Sequence, residues 1–173
     1  EISWGTTTRM IGGLIMVHSD DKGLVLPPRI APRQVVIIPI GADKNPRVNE
    51  LAKEYSEALN KNGIVTYIDD SKKSPGFKFA EAEVNGIPVR LEIGARDLEN
   101  NQITFARRDT SEKIPMTLDN LDIVKYTSEL LETIQKDMYN RAVERRDKLT
   151  FEAHNLEDME RILNTQPGFI HAM

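Results

Sequence analysis

Two groups of residues in this 173-residue chain have types and spacings that can do chemistry. The first is Thr6, Thr7, Thr8 and Arg9, set directly before an apolar run. A guanidinium at a helix N-terminus, beside hydroxyls and unpaired backbone N–H groups, offers what a triphosphate needs. The same residues fit threonines that merely cap a helix next to a solvated arginine, which is the commoner meaning of such a run. The second group is Glu83, Arg90, Arg96, Asp97 and Lys113, carboxylates interleaved with cations. Such a set can face the donors and acceptors of a polar ligand, but on a sheet it more often forms solvated ion pairs.

Smaller signals surround these groups. Asp20 and Asp21 are adjacent carboxylates before Gly23, and they read as turn formers rather than as a metal pair. His18 shares a helical face with Ile11, Leu14 and Ile15 and reads as a packing residue. Phe77 and Phe79 flank Lys78; two positions apart on a short helix, they diverge. Phe79 is expected in the core, which leaves Phe77 as an exposed aromatic platform.

The elements that must position these residues follow from periodicity. "QVVIIPI" (34–40) is a continuous β-branched run, expected of a strand buried on both faces. Asn45 and Pro46 open a helix and Gly63 closes it, with Val48, Leu51, Ala52, Tyr55 and Leu59 forming one apolar face. "GIVTYIDD" (63–70) is a second strand, joined to the first by a right-handed parallel crossover. "SPGFKFAEAEVNG" (74–86) is a short helix with Gly86 as its stop. "IPVRLEI" (87–93) alternates, with Ile87, Val89, Leu91 and Ile93 on one face and Pro88, Arg90 and Glu92 on the polar one. "QITFARR" (102–108) pairs antiparallel with it, and a fifth strand spans about 112–116. Thr117 can cap a long helix to about residue 147, with Leu121, Val124, Leu131, Met138 and Ala142 inward. A small helix carries Leu156, Met159, Ile162 and Leu163. The fold class is therefore α/β, a mixed five-stranded sheet flanked by about three helices. "LPPRIAP" (26–32) is a stiff connector before it.

Composition bounds the reading. The 39% apolar and 29% charged residues and the formal charge of −4 describe an ordinary globular chain with one core domain plus extensions. No apolar run approaches the roughly 20 residues of a membrane span, and no secretory leader opens the sequence. The absence of cysteine excludes disulfides and thiolate zinc sites within these residues and points to the reducing cytoplasm. Residues 72–113 hold eight Lys/Arg against seven Asp/Glu, and 119–163 hold seven against eleven. The acidic total therefore does not argue against RNA binding by the middle of the chain.

"SWGTTTRMIGGLIMVHSDDKGLVLPPRIAPRQVVIIPI", "SPGFKF", "GIPVRLEIGARD" and "RRD" follow one another colinearly over essentially the whole chain. Together they resemble the class II aminoacyl-tRNA synthetases, specifically the prolyl subgroup of the archaeal and eukaryotic type. The resemblance implies that residues 1–28 end a catalytic domain at its third signature motif. It implies that 29–148 form an anticodon-binding domain, and that 149–173 begin a C-terminal domain. It implies that Arg9 and Thr7 line the ATP site, and that Ser3, Trp4 and Gly5 lie near the amino-acid pocket. It further implies an ATP- and magnesium-dependent ligase, homodimeric, with proline and its tRNA as substrates. Zinc, bound by cysteines in the family's C-terminal part, is not expected in these residues, nor is any other metal. Without the first two class II motifs, residues 1–173 alone are not expected to aminoacylate.

On that resemblance the second group acquires a target. Proline anticodons end in two guanines, each with N1–H and N2–H donors and O6 and N7 acceptors. Glu83 and Asp97 suit the donors, and Arg90, Arg96 and Lys113 suit the acceptors. Threonyl-, glycyl- and histidyl-tRNA synthetases carry related domains, and a non-catalytic accessory protein can borrow the fold. "SPGFKF" and "GARD" favour the prolyl branch, and the intact Thr-Thr-Arg turn disfavours an accessory protein. Gly41 is a lone glycine after the first strand, too little for a free-standing nucleotide-binding enzyme.

Overall fold

The structure is a computed structural model that describes residues 2–165 and 168–172. It divides into two compact units, Glu1–Lys136 and Asp137–Met173.

The first unit opens with α1 (Arg9–His18), in which no residue is buried. It continues through β1 (Val35–Ile40), α2 (Arg47–Lys61), β2 (Thr66–Ile68), α3 (Pro75–Val84), β3 (Val89–Gly94), α4 (Ala95–Glu99), β4 (Gln102–Arg107), β5 (Lys113–Thr117) and the start of α5 (Ile123–Lys148). The sheet order is β2-β1-β3-β4-β5, with β1 parallel to both β2 and β3 and the last two strands antiparallel. This is the mixed five-stranded sheet read from the sequence. The second unit holds the end of α5, β6 (Thr150–Ala153), α6 (Leu156–Thr165) and β7 (Phe169–Ala172), with β6 and β7 in parallel. Among the described residues no helix is long and apolar enough to cross a membrane.

The five apolar positions of α2 are all buried, Val48 and Leu59 completely. Burying each such side chain contributes about 1.5–3 kcal/mol. The side chain of Asn45 accepts from the N–H of Arg47 at 3.0 Å, and Gly63 ends the helix region at φ +81°. On the opposite face of the sheet, Val36 and Ile38 of β1 pack with Ala82 of α3 and with Ile87.

Three local expectations change. Ile87 does not share a face with Val89, because residues 85–88 form the turn after α3. The N–H of Ile87 bonds the carbonyl of Ala82, and its side chain joins Val36 and Ile38. The long helix is capped by Asp122, whose carboxylate accepts from the N–H groups of Val124 and Lys125, while Thr117 is the last residue of β5. Its buried positions are accordingly Ile123, Thr127, Leu130, Leu131, Ile134 and Met138, with Leu121, Val124 and Ala142 only half-buried. The strand read over 63–70 is confined to Thr66–Ile68.

The connector from α1 to β1 is not a free linker. Val25, Pro27 and Pro28 are buried. The N–H of Leu24 bonds the carbonyl of Val84, and that of Leu26 bonds Gly86. Gly86 has φ +67°, and a Cβ on it would lie 2.6 Å from the Cβ of Leu24. Glycine is required there both for its backbone conformation and for the close approach.

Candidate nucleic-acid interface

Arg90 and Glu92 occupy alternate positions of β3, on the face covered by α3. In register across the sheet, Arg90 pairs with Ala106 of β4, and Ala106 with Lys113 of β5, so the two cations share this face two strands apart. Glu92 joins them: it accepts from Arg90 Nε at 2.9 Å and from Lys113 Nζ at 3.1 Å. Glu83, near the end of α3, lies 3.5 Å from Arg90 Nη1.

Phe79 completes the cluster. The Arg90 guanidinium stands 4.4 Å from its ring centroid and the Lys113 ammonium 5.3 Å, both within cation–π range. The ring is partly buried against the Val36–Ile38 cluster, as expected of a core-anchored side chain. Phe77 is exposed, with Lys73 Nζ 4.8 Å from its ring centroid.

The cluster is graded in exposure. The side chains of Arg90 and Glu92 are about nine-tenths buried, that of Glu83 is 30% exposed and that of Lys113 is 54% exposed. Arg90 is therefore less open than its place on a polar strand face suggests, because α3 and Phe79 lie over it. Its Nε and Nη1 are engaged within the cluster, and Nη2 has no hydrogen-bond partner among the described residues. A charge held rigidly in a low-dielectric setting, with a donor to spare, is preorganised to bind an acceptor.

Arg96 and Asp97 lie on α4, which follows β3 directly, and both are exposed. Among the described residues, no hydrogen bond or ion pair links either side chain to the Glu83–Arg90–Glu92–Lys113 cluster. The structure thus brings together three of the five residues read from sequence and adds Glu92 and Phe79. Glu92 could have been found from its i,i+2 spacing to Arg90 on one strand face.

At the other end of the chain, Ser3, Trp4, Gly5 and Thr7 are exposed, in the segment before α1. Arg9 is the first residue of the helix. Thr8 stands at its N-cap without a side-chain cap bond, and only the main-chain carbonyls of Thr7 and Thr8 accept from the first turn. The hydroxyls of Thr6, Thr7 and Thr8 are thus not used in capping.

Asp20 does form a turn: its carboxylate accepts from the N–H of Lys22, and it bridges to Gly23. It also accepts two bonds from Arg108, at 2.8 and 2.6 Å. Those bonds hold its carboxyl down at about 2, against a weaker upward push from partial burial, with further help from the Lys22 N–H. Among the described residues no group of three or more His, Cys, Asp or Glu side chains can hold a metal ion.

Comparison with known proteins bears directly on the sheet. Residues 34–130, which contain every strand of the sheet and the whole cluster, match the family model described as "Anticodon binding domain". The chain is 51% identical over 173 residues to a protein named proline–tRNA ligase from Lachnoclostridium phytofermentans, covering all of this chain and 35% of that protein. Proteins of the same name from Clostridium novyi and Chlorobaculum tepidum are 49% and 48% identical, over 100% and 98% of this chain and 35% of each of theirs. The chain thus spans about a third of the length of the curated relatives it matches. With more than half its length matched, and with the sheet order and buried ionic cluster inside the match, the chain belongs to the anticodon-binding domain family.

Proposed function

We propose that this chain is the tRNA-reading part of a proline–tRNA ligase, and that the α3 face of its sheet recognises the two guanines of the proline anticodon. The observation that carries the reading is the Arg90–Glu92–Lys113 cluster over Phe79, inside the family match. Arg90 and Lys113 donate to guanine O6 and N7, and Glu83, the more loosely held carboxylate, accepts from N1–H and N2–H. Arg96 and Asp97 on α4 extend the surface along the strand direction toward a neighbouring base. Phe77, exposed beside Lys73, is a stacking platform.

The remaining parts follow from the same reading. The whole protein is a cytoplasmic homodimer that joins proline to its tRNA at the expense of ATP. Residues 1–28 close its catalytic domain, 29–148 read the anticodon and 149–173 begin a C-terminal domain. Arg9 and Thr7 hold the ATP phosphates at the start of α1, where the guanidinium and the threonine hydroxyls not used in capping suit an anion. Ser3, Trp4 and Gly5 border the proline pocket. Magnesium, when bound, would neutralise phosphate charge; among the described residues no group of three or more His, Cys, Asp or Glu side chains offers it ligands. The exposed Met10, Ile11 and Met16 of α1 suit a helix that packs against further catalytic-domain structure.

The test is binding of an anticodon stem-loop, measured by titration against the same stem-loop with both guanines changed to adenine. Each lost base-edge pairing costs about 1–3 kcal/mol, so the preference is tenfold or more. Arg90→Ala removes most of it, and Arg90→Lys, which keeps the charge and the fold but not the fork, removes part. Lys148→Ala leaves it intact. Binding that is indifferent to the guanines refutes the reading.

A further inference from the structure

Arg108 sits just past β4, and its side chain is only 3% exposed. Its guanidinium has two commitments that serve different parts of the chain. Nη1 and Nη2 grip both carboxylate oxygens of Asp20, two residues beyond the end of α1. Nε donates to the main-chain carbonyl of Glu83 at 2.9 Å. One planar, rigid fork therefore holds the turn after α1 and the backbone of a residue in the RNA-facing cluster.

The surroundings leave these two segments little room for independent movement. The N–H of Leu24 bonds the carbonyl of Val84, next to Glu83, and that of Leu26 bonds Gly86. A Cβ on Gly23 would lie 2.6 Å from the Cα of Val84. Backbone is packed on backbone from 23 to 26 along 84 to 86. Glu83 itself is the loosest member of the cluster, at 3.5 Å from Arg90 and 30% exposed. It is the member of the cluster that a ligand can immobilise, and its carbonyl is the one that Arg108 holds.

We propose that Arg108 is a positioning residue that couples occupancy of the RNA-binding face at Glu83 to the placement of α1, through Asp20. This rests on the reading above, in which Glu83 meets the anticodon. RNA that fixes Glu83 tightens the carbonyl–Arg108–Asp20 chain and steadies the turn from which α1 departs. Arg9, proposed to hold ATP phosphate, is on that helix. The coupling is limited to the difference in the strength of this clamp between the free and RNA-bound states.

The experiment is amide hydrogen exchange of the 173-residue chain, free and saturated with the guanine-containing stem-loop. In the unaltered protein, RNA slows exchange across residues 19–26 and the last turn of α1 by about threefold or more. Asp20→Asn keeps a half-exposed side chain of the same shape, binds the stem-loop within about twofold of the unaltered chain, and shows a bound-to-free exchange ratio near 1 in this region. Asp20→Glu restores part of the slowing. Arg108→Lys, which retains the charge without the fork, behaves as Asp20→Asn does. A purely structural clamp gives another result: Asp20→Asn speeds exchange equally in both states and the ratio is unchanged, which overturns the proposal. Guanine-selective binding without slowing in the unaltered chain overturns it too. Binding that is absent or indifferent to guanine overturns the functional reading and the coupling with it.

Discussion

Lys78 presents a sharp test of the energetics that hold α3 on the sheet. Its side chain is 6% exposed, and its ammonium donates to the carbonyl of Asp69 at 2.7 Å and lies 3.7 Å from the Asp69 carboxylate, itself 8% exposed. Replacing Lys78 by Met keeps the stem and removes the charge, leaving a buried carboxylate and a carbonyl without their cation. Removing one partner of a buried pair costs about 3–5 kcal/mol. Two features of the site reduce that figure. The N–H of Ser71 still donates to the carboxylate, and an adjoining cavity of about 110 Å³ has room for water. The expected loss is therefore about 2–3 kcal/mol at pH 7.

The pH dependence of that loss identifies its origin. Burial pushes the Asp69 carboxyl up, but the Ser71 hydrogen bonds and the Lys78 and Lys73 charges together bring it below its ordinary 3.8. Its stabilising contribution is present above the unfolded value and is lost as pH falls through the folded one. Without Lys78 the folded value rises, so the variant is penalised most near neutrality and least where Asp69 is protonated in both proteins. Urea unfolding followed through the amide signals of Val35–Ile40, at pH 7 and at about pH 3, reads both quantities. A deficit below about 1 kcal/mol at pH 7, or an equal deficit at both pH values, refutes the buried-pair argument. Lys78→Met combined with Asp69→Asn recovers part of the loss if the charge is responsible.

Asp20, held at about 2, stabilises the fold above the ordinary 3.8 of its carboxyl and loses that contribution as pH falls between these values. Because its side chain is 48% exposed, solvent screening lowers the contribution to about 1 kcal/mol, and the stability advantage over Asp20→Asn vanishes near pH 2 in acid titrations. Gly86→Ala combines φ +67° with a 2.6 Å clash and lowers stability by more than about 2 kcal/mol, whereas Gly63→Ala, at φ +81° in open space, costs about 1; equal urea midpoints for the two variants contradict this contrast. Calorimetry with ATP yields no micromolar binding, since one guanidinium and a helix end cannot supply the roughly 8 kcal/mol that such affinity represents.

Much of the sheet domain was legible because its signals are local. The five apolar residues of α2 repeat at helical spacing, and all five are buried. β1 is a run that only a strand covered on both faces explains. Alternation in β3 placed Arg90 and Glu92 on one side, but alternation cannot distinguish a face open to water from one roofed by another helix, and α3 roofs this one. Ile87 was assigned to the wrong face because the turn around Gly86 resets the period just before the strand starts. Thr117 and Asp122 are both plausible cap chemistries five positions apart, and Thr117 is taken up by pairing with Gln102. The Arg108–Asp20 grip joins residues 88 positions apart and leaves no periodic trace in the sequence. Glu92 looked like another solvated charge until the register set it between Arg90 and Lys113.

The seam between residues 23–26 and the α3–β3 turn has a consequence for how such a domain can be inherited or transplanted. A cassette cut at residue 34, where the family match begins, discards Asp20, Leu24 and Leu26 together. Arg108 then keeps a buried guanidinium with no carboxylate, and the carbonyls of Val84 and Gly86 lose their donors. The gap lies beneath Glu83, so the graft carries its defect directly under the surface it was moved to supply. The portable unit begins near residue 19, and a recombination joint survives best inside or ahead of α1, where no side chain is buried.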